Sequence, residues 1–264
     1  MISVKNIEKT FNPGSINQVK ALRGVNIEVK SGEFITIIGS NGAGKSTFLN
    51  AIAGCFPIDN GSILINQTDV TKWPEHKRAA CMGRVFQDPL LGTSASLSIE
   101  QNMALAMKRG KFRGLSLGVK RENRIKFREM LSTLNLGLED RLEDKVGLLS
   151  GGQRQALTML MATITNPDVL LLDEHTAALD PKTGNKILEI TDSVVRENKL
   201  TTLMVTHNLT QAISLGDRLI MFHMGKIMID ISGEEKKNLK VETLLERFYT
   251  LRGEDMATDR MLFS

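Results

Sequence analysis

The chain has 264 residues, of which 41% are hydrophobic and 24% are charged, with a formal net charge of +4. This composition excludes intrinsic disorder and predicts one large α/β domain or two closely joined subdomains. The longest apolar runs, such as Phe34–Ile38 and Val169–Leu172, are far shorter than the ~18 residues needed to cross a bilayer. The N-terminus also lacks a basic segment followed by an apolar one, so we expect a cytoplasmic protein.

The first part of the chain predicts two kinds of strand. Met1–Phe11 and Gly24–Val29 alternate apolar and polar residues, which indicates half-buried strands of a small antiparallel sheet. Phe34–Ile38 is a continuous apolar run, which is typical of a strand buried on both faces, and Ser46–Ala53 follows it as a helix. Gly61–Asn66 and Gly83–Phe86 are two further predicted strands.

The middle of the chain, from about residue 90 to 164, predicts an inserted helical subdomain. Its predicted helices are Ser98–Met107, Arg121–Leu136 and Gly151–Thr163, and Gly110–Gly118 is a glycine-rich basic loop. Helices and strands alternate afterwards, with strands Val169–Leu172, Thr202–Val205, Arg218–Phe222 and Lys226–Asp230 and helices Thr183–Glu197 and Leu209–Leu215. The alternation predicts a mainly parallel sheet in a core of about residues 1–89 and 165–230, followed by a helical extension of about 231–264.

Cysteines and charge give weaker signals. Cys55 and Cys81 lack the spacing of a metal site or a redox pair, and we expect both to be buried. The segment 108–128 carries nine basic residues and one acid, a local charge of +8. This charge is compatible with nucleic-acid binding. Because few aromatic residues are interspersed, it favours instead a solvated surface near anionic lipid head groups or a partner loop.

The strand Phe34–Ile38 leads into a phosphate-binding loop. Gly39–Ser46 fits the pattern G-x-x-x-x-G-K-[ST], with the strand before it and the helix after it that this pattern requires. The glycines allow successive backbone N–H groups to point at phosphate oxygens, and the helix start adds its positive dipole end. Lys45 is predicted to contact the β/γ-phosphates, and the Ser46 hydroxyl to bind Mg²⁺.

A second strand ends in two acids. Val169–Leu172 is followed by Asp173 and Glu174. A carboxylate at this position suits Mg²⁺, directly or through water, so Asp173 is the predicted metal ligand. Glu174 is the predicted base that polarises an attacking water.

A third motif, Leu149–Gln153, has the sequence LSGGQ and opens a helix before Asp173. With it, residues from about 2 to 230 resemble the ATP-binding cassette (ABC) family, whose signature motif is matched without a substitution. The resemblance implies a P-loop α/β fold and a head-to-tail dimer with two ATP molecules at its interface, because the signature of one subunit contacts the nucleotide of the other. With one cassette in this chain, a homodimer or a heterodimer with a related ABC subunit is expected.

The resemblance assigns roles to four further positions. Gln87 matches the Q-loop glutamine near Mg²⁺ and the attacking water, and His207 matches the switch histidine that contacts the γ-phosphate. Asp180 ends the D-loop, and Phe11 occupies the aromatic position that stacks on adenine, although a strand-end core residue is an equally good interpretation. His175 departs from the family pattern, which usually has proline after the catalytic glutamate.

Together these motifs define the predicted site. The catalytic residues are Glu174, His207 and Gln87, and the metal ligands are Ser46, Gln87 and Asp173. The predicted nucleotide-binding residues are Phe11, Gly39, Ser40, Asn41, Gly42, Ala43, Gly44, Lys45, Ser46, Thr47, Ser150, Gly151, Gly152, Gln153 and Asp180.

Two functions follow from the resemblance. The first is the ATPase subunit of a membrane transporter, most similar to bacterial ATPases of tryptophan/tyrosine or related amino-acid uptake. The resemblance implies permease subunits and an extracytoplasmic substrate-binding protein as partners. It also implies that the chain lies on the inner face of the membrane. The alternative is a soluble ABC ATPase acting on nucleic acid or ribosomes. The 103 residues between Ser46 and Ser150 leave no room for the long coiled coil of repair ATPases, which favours the transporter, with no nucleic acid as partner.

The segment Gln87–Thr93, with the helical insert beyond it, is the predicted docking surface for the permease. Pro89 and Gly92 indicate an exposed loop, and Leu90 and Leu91 lie within it. Exposed leucines favour a partner that covers them, whereas the alternative is that they fold back into the helical subdomain.

Overall fold

The computed structural model describes residues 1–111 and 118–252. The strands are β1 (Ile2–Phe11), β2 (Val19–Val29), β3 (Phe34–Gly39), β4 (Asn60–Ile65), β5 (Thr68–Asp69), β6 (Met82–Val85), β7 (Val169–Asp173), β8 (Thr201–Val205), β9 (Arg218–His223) and β10 (Lys226–Ser232). The helices are α1 (Lys45–Ala53), α2 (Glu75–Arg78), α3 (Ile99–Met107), α4 (Arg121–Ser132), α5 (Gly151–Thr163), α6 (Pro181–Glu197), α7 (Leu209–Ser214), α8 (Gly233–Lys237) and α9 (Val241–Arg252), with a 3₁₀ turn at Val146–Leu148.

The chain divides into two compact units, and residues 1–78 with the described residues from 199 onward form the first. One of its sheets is antiparallel with the order β2-β1-β4-β5, as the alternating pattern predicts. In the other, β3 pairs in parallel with β8 and with β9, and β10 pairs antiparallel with β9. All six residues of β3 are buried, which confirms the prediction from its continuous apolar run.

Residues 79–198 form the second unit. Its strands β6 and β7 pair in parallel, with Val85 opposite Leu172. Helices α3, α4, α5 and α6 share a core that includes Met103, Phe127 and Leu157, all fully buried. This unit therefore contains the predicted helical insert together with the strand that carries the two acids. The predicted α/β class with an antiparallel sheet and a helical insertion is confirmed.

Some element boundaries differ from the predictions. Helix α5 begins and ends where the sequence predicts, but α4 ends at Ser132 instead of Leu136. Asn135 and Gly137 have φ values of 52° and 67°, which no α-helix accommodates. Within the predicted C-terminal extension the structure has α8 and α9, and residues 253–264 lie outside the described residues.

The prediction of two buried cysteines is wrong. Cys55 is exposed and Cys81 is half-buried. Cys55 follows directly after Gly54, which ends helix α1, and its Sγ lies 3.4 Å from Glu75 Oε1. Helix α1 therefore ends before Cys55, and the packing of this helix does not bury the cysteine side chain.

Two arginines of the basic segment 108–128 are engaged by partners within the chain. Arg109 donates to Ala162 O and Thr165 Oγ1 at 2.7 Å each, and burial lowers the pKa of its guanidinium. Arg124 is paired with Glu100 at 2.7 Å and with Glu143 at 3.0 Å. Residues 112–117 of this segment lie outside the described residues. Among the residues that the structure does describe, no helix has the length and apolar character of a membrane span.

Candidate nucleotide-binding and catalytic site

The phosphate-binding loop of the first unit requires glycine at two positions. Gly39 has φ +144°, and a Cβ atom there would lie 2.3 Å from Phe222 O. Gly44 has φ +104°, and a Cβ atom would lie 2.7 Å from Ala21 O. The loop can follow this path only because both residues lack a side chain. It ends at the first turn of α1, whose N–H groups and dipole favour an anion.

The side chains of the loop are arranged around its own backbone. Lys45 is only 6% exposed, and its Nζ donates to Gly39 O at 2.7 Å and to Ser40 O at 3.1 Å. Its ammonium group therefore lies inside the curve of the loop. Asn41 and Ser46 are exposed, whereas Ser40 and Thr47 are half-buried. The loop thus presents one cation and several hydroxyl and N–H donors, which suits a polyphosphate.

The sheet register brings His207 to the same edge as this loop. Ile37 of β3 is opposite Val205 of β8, and the strands are parallel. Gly39 and His207 each follow two residues later, so both lie at the carboxyl ends of neighbouring strands. His207 is exposed in the turn before α7, and Asn208 caps that helix by accepting from Gln211 N.

Phe11 ends β1 and is half-buried. Its ring meets the Phe56 ring edge-on at a centroid distance of 5.2 Å, and Lys9 Nζ lies 5.6 Å from its centroid. The ring therefore has aromatic and cationic neighbours of its own, and adenine stacking at this position stays a prediction.

The second unit carries the acids and the glutamine. Because Val85 of β6 is opposite Leu172 of β7 in a parallel pair, Gln87 and Glu174 lie at the same sheet edge. Gln87 is exposed, and the buried Gln155 of α5 donates to Phe86 O at 3.3 Å just before it. Asp173 is 3.8 Å from Arg84 Nη2.

The turn after Asp173 has an unusual conformation. Glu174 has φ +45°, a left-handed value that costs energy for a residue other than glycine. Ala177 N donates to Glu174 O at 3.0 Å, which closes the turn. His175 is 3% exposed, and this burial lowers the pKa of its imidazole to about 4, so the ring is neutral at physiological pH.

The signature motif begins helix α5 with a capping box. Gln153 N donates to Ser150 Oγ and Ser150 N donates to Gln153 Oε1, both at 3.2 Å. Ser150 and Gly151 are exposed at the start of the helix, whereas Gly152 is buried against Thr183. The side chain of Gln153 thus contributes to the helix cap. Ser150, Gly152 and Gln153 also line an open cleft of about 800 Å³.

Asp180 has a structural role in the same unit. Its carboxylate caps α6 by accepting from Thr183 N at 3.1 Å, and the hydrogen bonds from Thr183 lower its pKa. Contact with a nucleotide stays a prediction for this residue.

Sequence reasoning missed two residues that contact the acidic turn. Arg84 approaches Asp173, and Thr191 Oγ1 lies 3.1 Å from His175 Nε2. An arginine in the otherwise apolar β6 was a signal for the first contact. The second lies 16 residues away on α6, and no local pattern indicates it.

Comparisons with known proteins agree on the family. A model of the ABC transporter family matches residues 22–177. The chain is 46% identical over 250 residues to a tyrosine transport ATP-binding protein of Clostridioides difficile (strain R20291), covering 94% of this chain and 98% of that protein. It is 36% identical over 212 residues to the lipoprotein-releasing system ATP-binding protein LolD of Syntrophus aciditrophicus (strain SB), covering 79% and 90%.

The fold comparison gives the same result. The dimeric structure of MJ0796, a bacterial ABC transporter cassette, has a TM-score of 0.75 and 32% identity and covers 88% of this chain and 98% of that one. A dimeric post-hydrolysis state of MJ0796 bound to ADP and Pi has a TM-score of 0.74 and 30% identity, with the same coverage. The chain therefore belongs to the ABC transporter family and is an ATP-hydrolysing cassette of that family.

Proposed function

We propose that this cassette powers a bacterial importer of amino acids or similar small solutes from the inner face of the cell membrane. The observation that carries the proposal is the 46% identity to a tyrosine transport ATP-binding protein over 98% of that protein. The lipoprotein-releasing relative is less similar and covers less of this chain. ATP hydrolysis by this chain then drives a permease, and an extracytoplasmic substrate-binding protein supplies the solute.

We assign the roles of the site residues from their chemistry and from the positions that they match in the ABC family. Lys45 and the N–H groups of Gly39–Ser46 bind the phosphates, because a cation and clustered donors match that charge. Glu174 polarises the attacking water, and His207 contacts the γ-phosphate. Phe11 stacks on adenine, and Ser150, Gly151, Gly152, Gln153 and Asp180 contribute to the nucleotide interface with the partner cassette.

The donor set also fits Mg²⁺. Ser46, Gln87 and Asp173 offer a hydroxyl, an amide and a carboxylate oxygen, which this hard cation prefers. Among the described residues no group of three or more His, Cys, Asp and Glu could hold a metal ion. That agrees with a site where one carboxylate acts together with phosphate and water oxygens. Bound Mg²⁺ would supply positive charge to the phosphates.

Two substitutions separate binding from hydrolysis. We expect Glu174→Gln to lower the rate of ATP hydrolysis at least about 100-fold, because the amide is not a base. Its affinity for ATP should remain unchanged. Lys45→Ala should instead weaken ATP binding itself, because it removes a charge directed at the phosphates. Phosphate release and binding of a fluorescent ATP analogue measure the two properties. Near-normal turnover by Glu174→Gln would remove Glu174 from its proposed role.

We propose that Gln87–Thr93 docks the permease. Leu90 and Leu91 are 47% and 69% exposed, which supports a surface that a partner covers and disfavours the alternative of leucines folded into the core. Thr93 Oγ1 donates to Pro89 O at 3.0 Å, so the loop is shaped by its own hydrogen bond.

The double substitution Leu90→Asp and Leu91→Asp tests this surface. We expect it to abolish co-purification with the permease and to leave ATP binding unchanged, because both side chains already face solvent. Ile16→Asp is the matched control, since Ile16 is a fully exposed apolar residue of the first unit. Retention of the permease by the double variant, or its loss in the control, would contradict the proposal.

Transport in reconstituted vesicles tests the substrate class. The cassette, its permease and its binding protein are expected to accumulate an aromatic amino acid when ATP is present. Uptake of neither aromatic nor other amino acids would contradict the amino-acid assignment. The similarity of most of this chain to ATP-binding proteins of transport and lipoprotein-releasing systems disfavours the alternative of a nucleic-acid-acting ATPase.

A further inference from the structure

A buried hydrogen bond joins the turn of Glu174 to helix α6. His175 Nε2 lies 3.1 Å from Thr191 Oγ1, and both side chains are buried, with exposures of 3% and 0%. A polar contact in such a place is costly to leave unpaired. It links residues 16 positions apart within the second unit.

The direction of this bond follows from the second contact of Thr191. Its hydroxyl donates to Ile187 O at 2.7 Å, one turn earlier in α6. A hydroxyl has one proton, so Thr191 Oγ1 accepts in the other contact and His175 Nε2 carries the hydrogen. His175 Nε2 is therefore the donor of this bond, and the bond fixes the ring on α6.

The turn that His175 anchors is conformationally strained. Glu174 has φ +45°, and this value persists only where surrounding contacts hold it. The turn meets α6 at a second point, where a Cβ atom on Gly184 would lie 3.9 Å from Thr176 Cβ. His175 and Thr176 thus rest on α6 directly after Glu174.

We propose that the hydrogen bond from His175 to Thr191 holds the backbone turn that directs the Glu174 carboxylate, which makes both of them positioning residues for hydrolysis. The inference rests on the proposed role of Glu174 as the base. Its physical basis is that a small displacement of a catalytic group lowers the rate without removing the group. A purely structural bond would affect folding stability and leave the rate per folded molecule unchanged.

A pair of variants at Thr191 tests the proposal. Thr191→Val keeps the shape of the side chain and removes the acceptor, whereas Thr191→Ser keeps the hydroxyl. We expect Thr191→Val to lower kcat about tenfold with KM for ATP unchanged, and Thr191→Ser to keep kcat within about threefold. Thermal unfolding establishes that the variants are folded at the assay temperature. Equal kcat values for the two folded variants would overturn the proposal.

A second pair covers the case in which Thr191→Val does not fold. His175→Gln offers an amide N–H at nearly the reach of Nε2, whereas the shorter His175→Asn does not. Only the glutamine variant should keep kcat within about threefold of the native value. Equal rates for both folded variants would overturn the proposal.

A combination with Glu174→Gln separates this inference from the proposed function. In that background, Thr191→Val should not lower the residual rate further, because no base remains to be positioned. An additional tenfold loss would overturn the positioning role. Full hydrolysis by Glu174→Gln alone would instead refute the base assignment on which the inference rests.

Discussion

Burial determines the charge of the residue next to the proposed base. His175 has 3% of its surface exposed, and desolvation of its charged form lowers its pKa from 6.5 to about 4. The neighbouring Glu174 is half-buried in the same turn. Glu174 and His175 are therefore adjacent in sequence but differ in burial, and only His175 is buried within the second unit.

The shifted pKa of His175 predicts a loss of stability in acid. The unfolded chain takes up a proton below pH 6.5, whereas the folded chain does so only near pH 4. Its contribution to the free energy of unfolding is therefore complete above the unfolded pKa of 6.5, is lost progressively as the pH falls from there through the folded pKa of about 4, and changes no further below it. Between about pH 7.5 and 5.5, the free energy of unfolding of the native protein, measured with urea, should fall by about 1 kcal/mol more than that of the His175→Gln variant. Parallel pH profiles for the two proteins would contradict this prediction.

At the scale of elements, motifs with local chemistry could be predicted and contacts between elements could not. Helix α5 has the predicted bounds because Ser150 and Gln153 cap each other within one turn. Helix α4 ends early because Asn135 adopts a left-handed backbone conformation, and the spacing of apolar residues in the sequence does not predict that conformation. The contact of His175 with Thr191 depends on how α6 packs, and Cys55 is exposed because α1 ends before it.

Packing of α5 against α6 predicts opposite effects at two adjacent glycines. A Cβ atom on Gly152 would lie 2.3 Å from Thr183 Cγ2, whereas one on Gly151 would lie 3.4 Å from Leu179 Cδ2. Gly152→Ala should destabilise the protein by about 1–3 kcal/mol through overpacking. Gly151→Ala, the matched control, should be neutral or stabilising by up to about 1 kcal/mol, because alanine favours helix.

Urea unfolding measures both changes. Adding Thr183→Ser to Gly152→Ala should restore most of the lost stability, because it removes the methyl group that the new Cβ meets and keeps the N–H that Asp180 accepts. Equal stabilities of the two single variants would show that α5 and α6 are not packed as closely as described.

At the scale of the whole molecule, the predicted site residues are divided between the two units. The phosphate loop and His207 belong to the first unit, and Gln87, Asp173, Glu174 and the signature belong to the second. Ser150 and Gly151 are exposed at the start of α5, which suits the proposed contact with a nucleotide held by a partner cassette. We propose that ATP joins two cassettes through these signatures.

The most direct test is the mass of the Glu174→Gln variant in solution, measured by size-exclusion chromatography with light scattering, with and without MgATP. Because this variant binds ATP and does not hydrolyse it, we expect a single chain of 29.2 kDa without nucleotide and a dimer with it. Ser150→Arg in the same background should bind ATP and remain a single chain, because the bulky cation blocks the signature. A Glu174→Gln protein that stays monomeric at saturating MgATP, or dimerises equally well with Ser150→Arg, would contradict the claim.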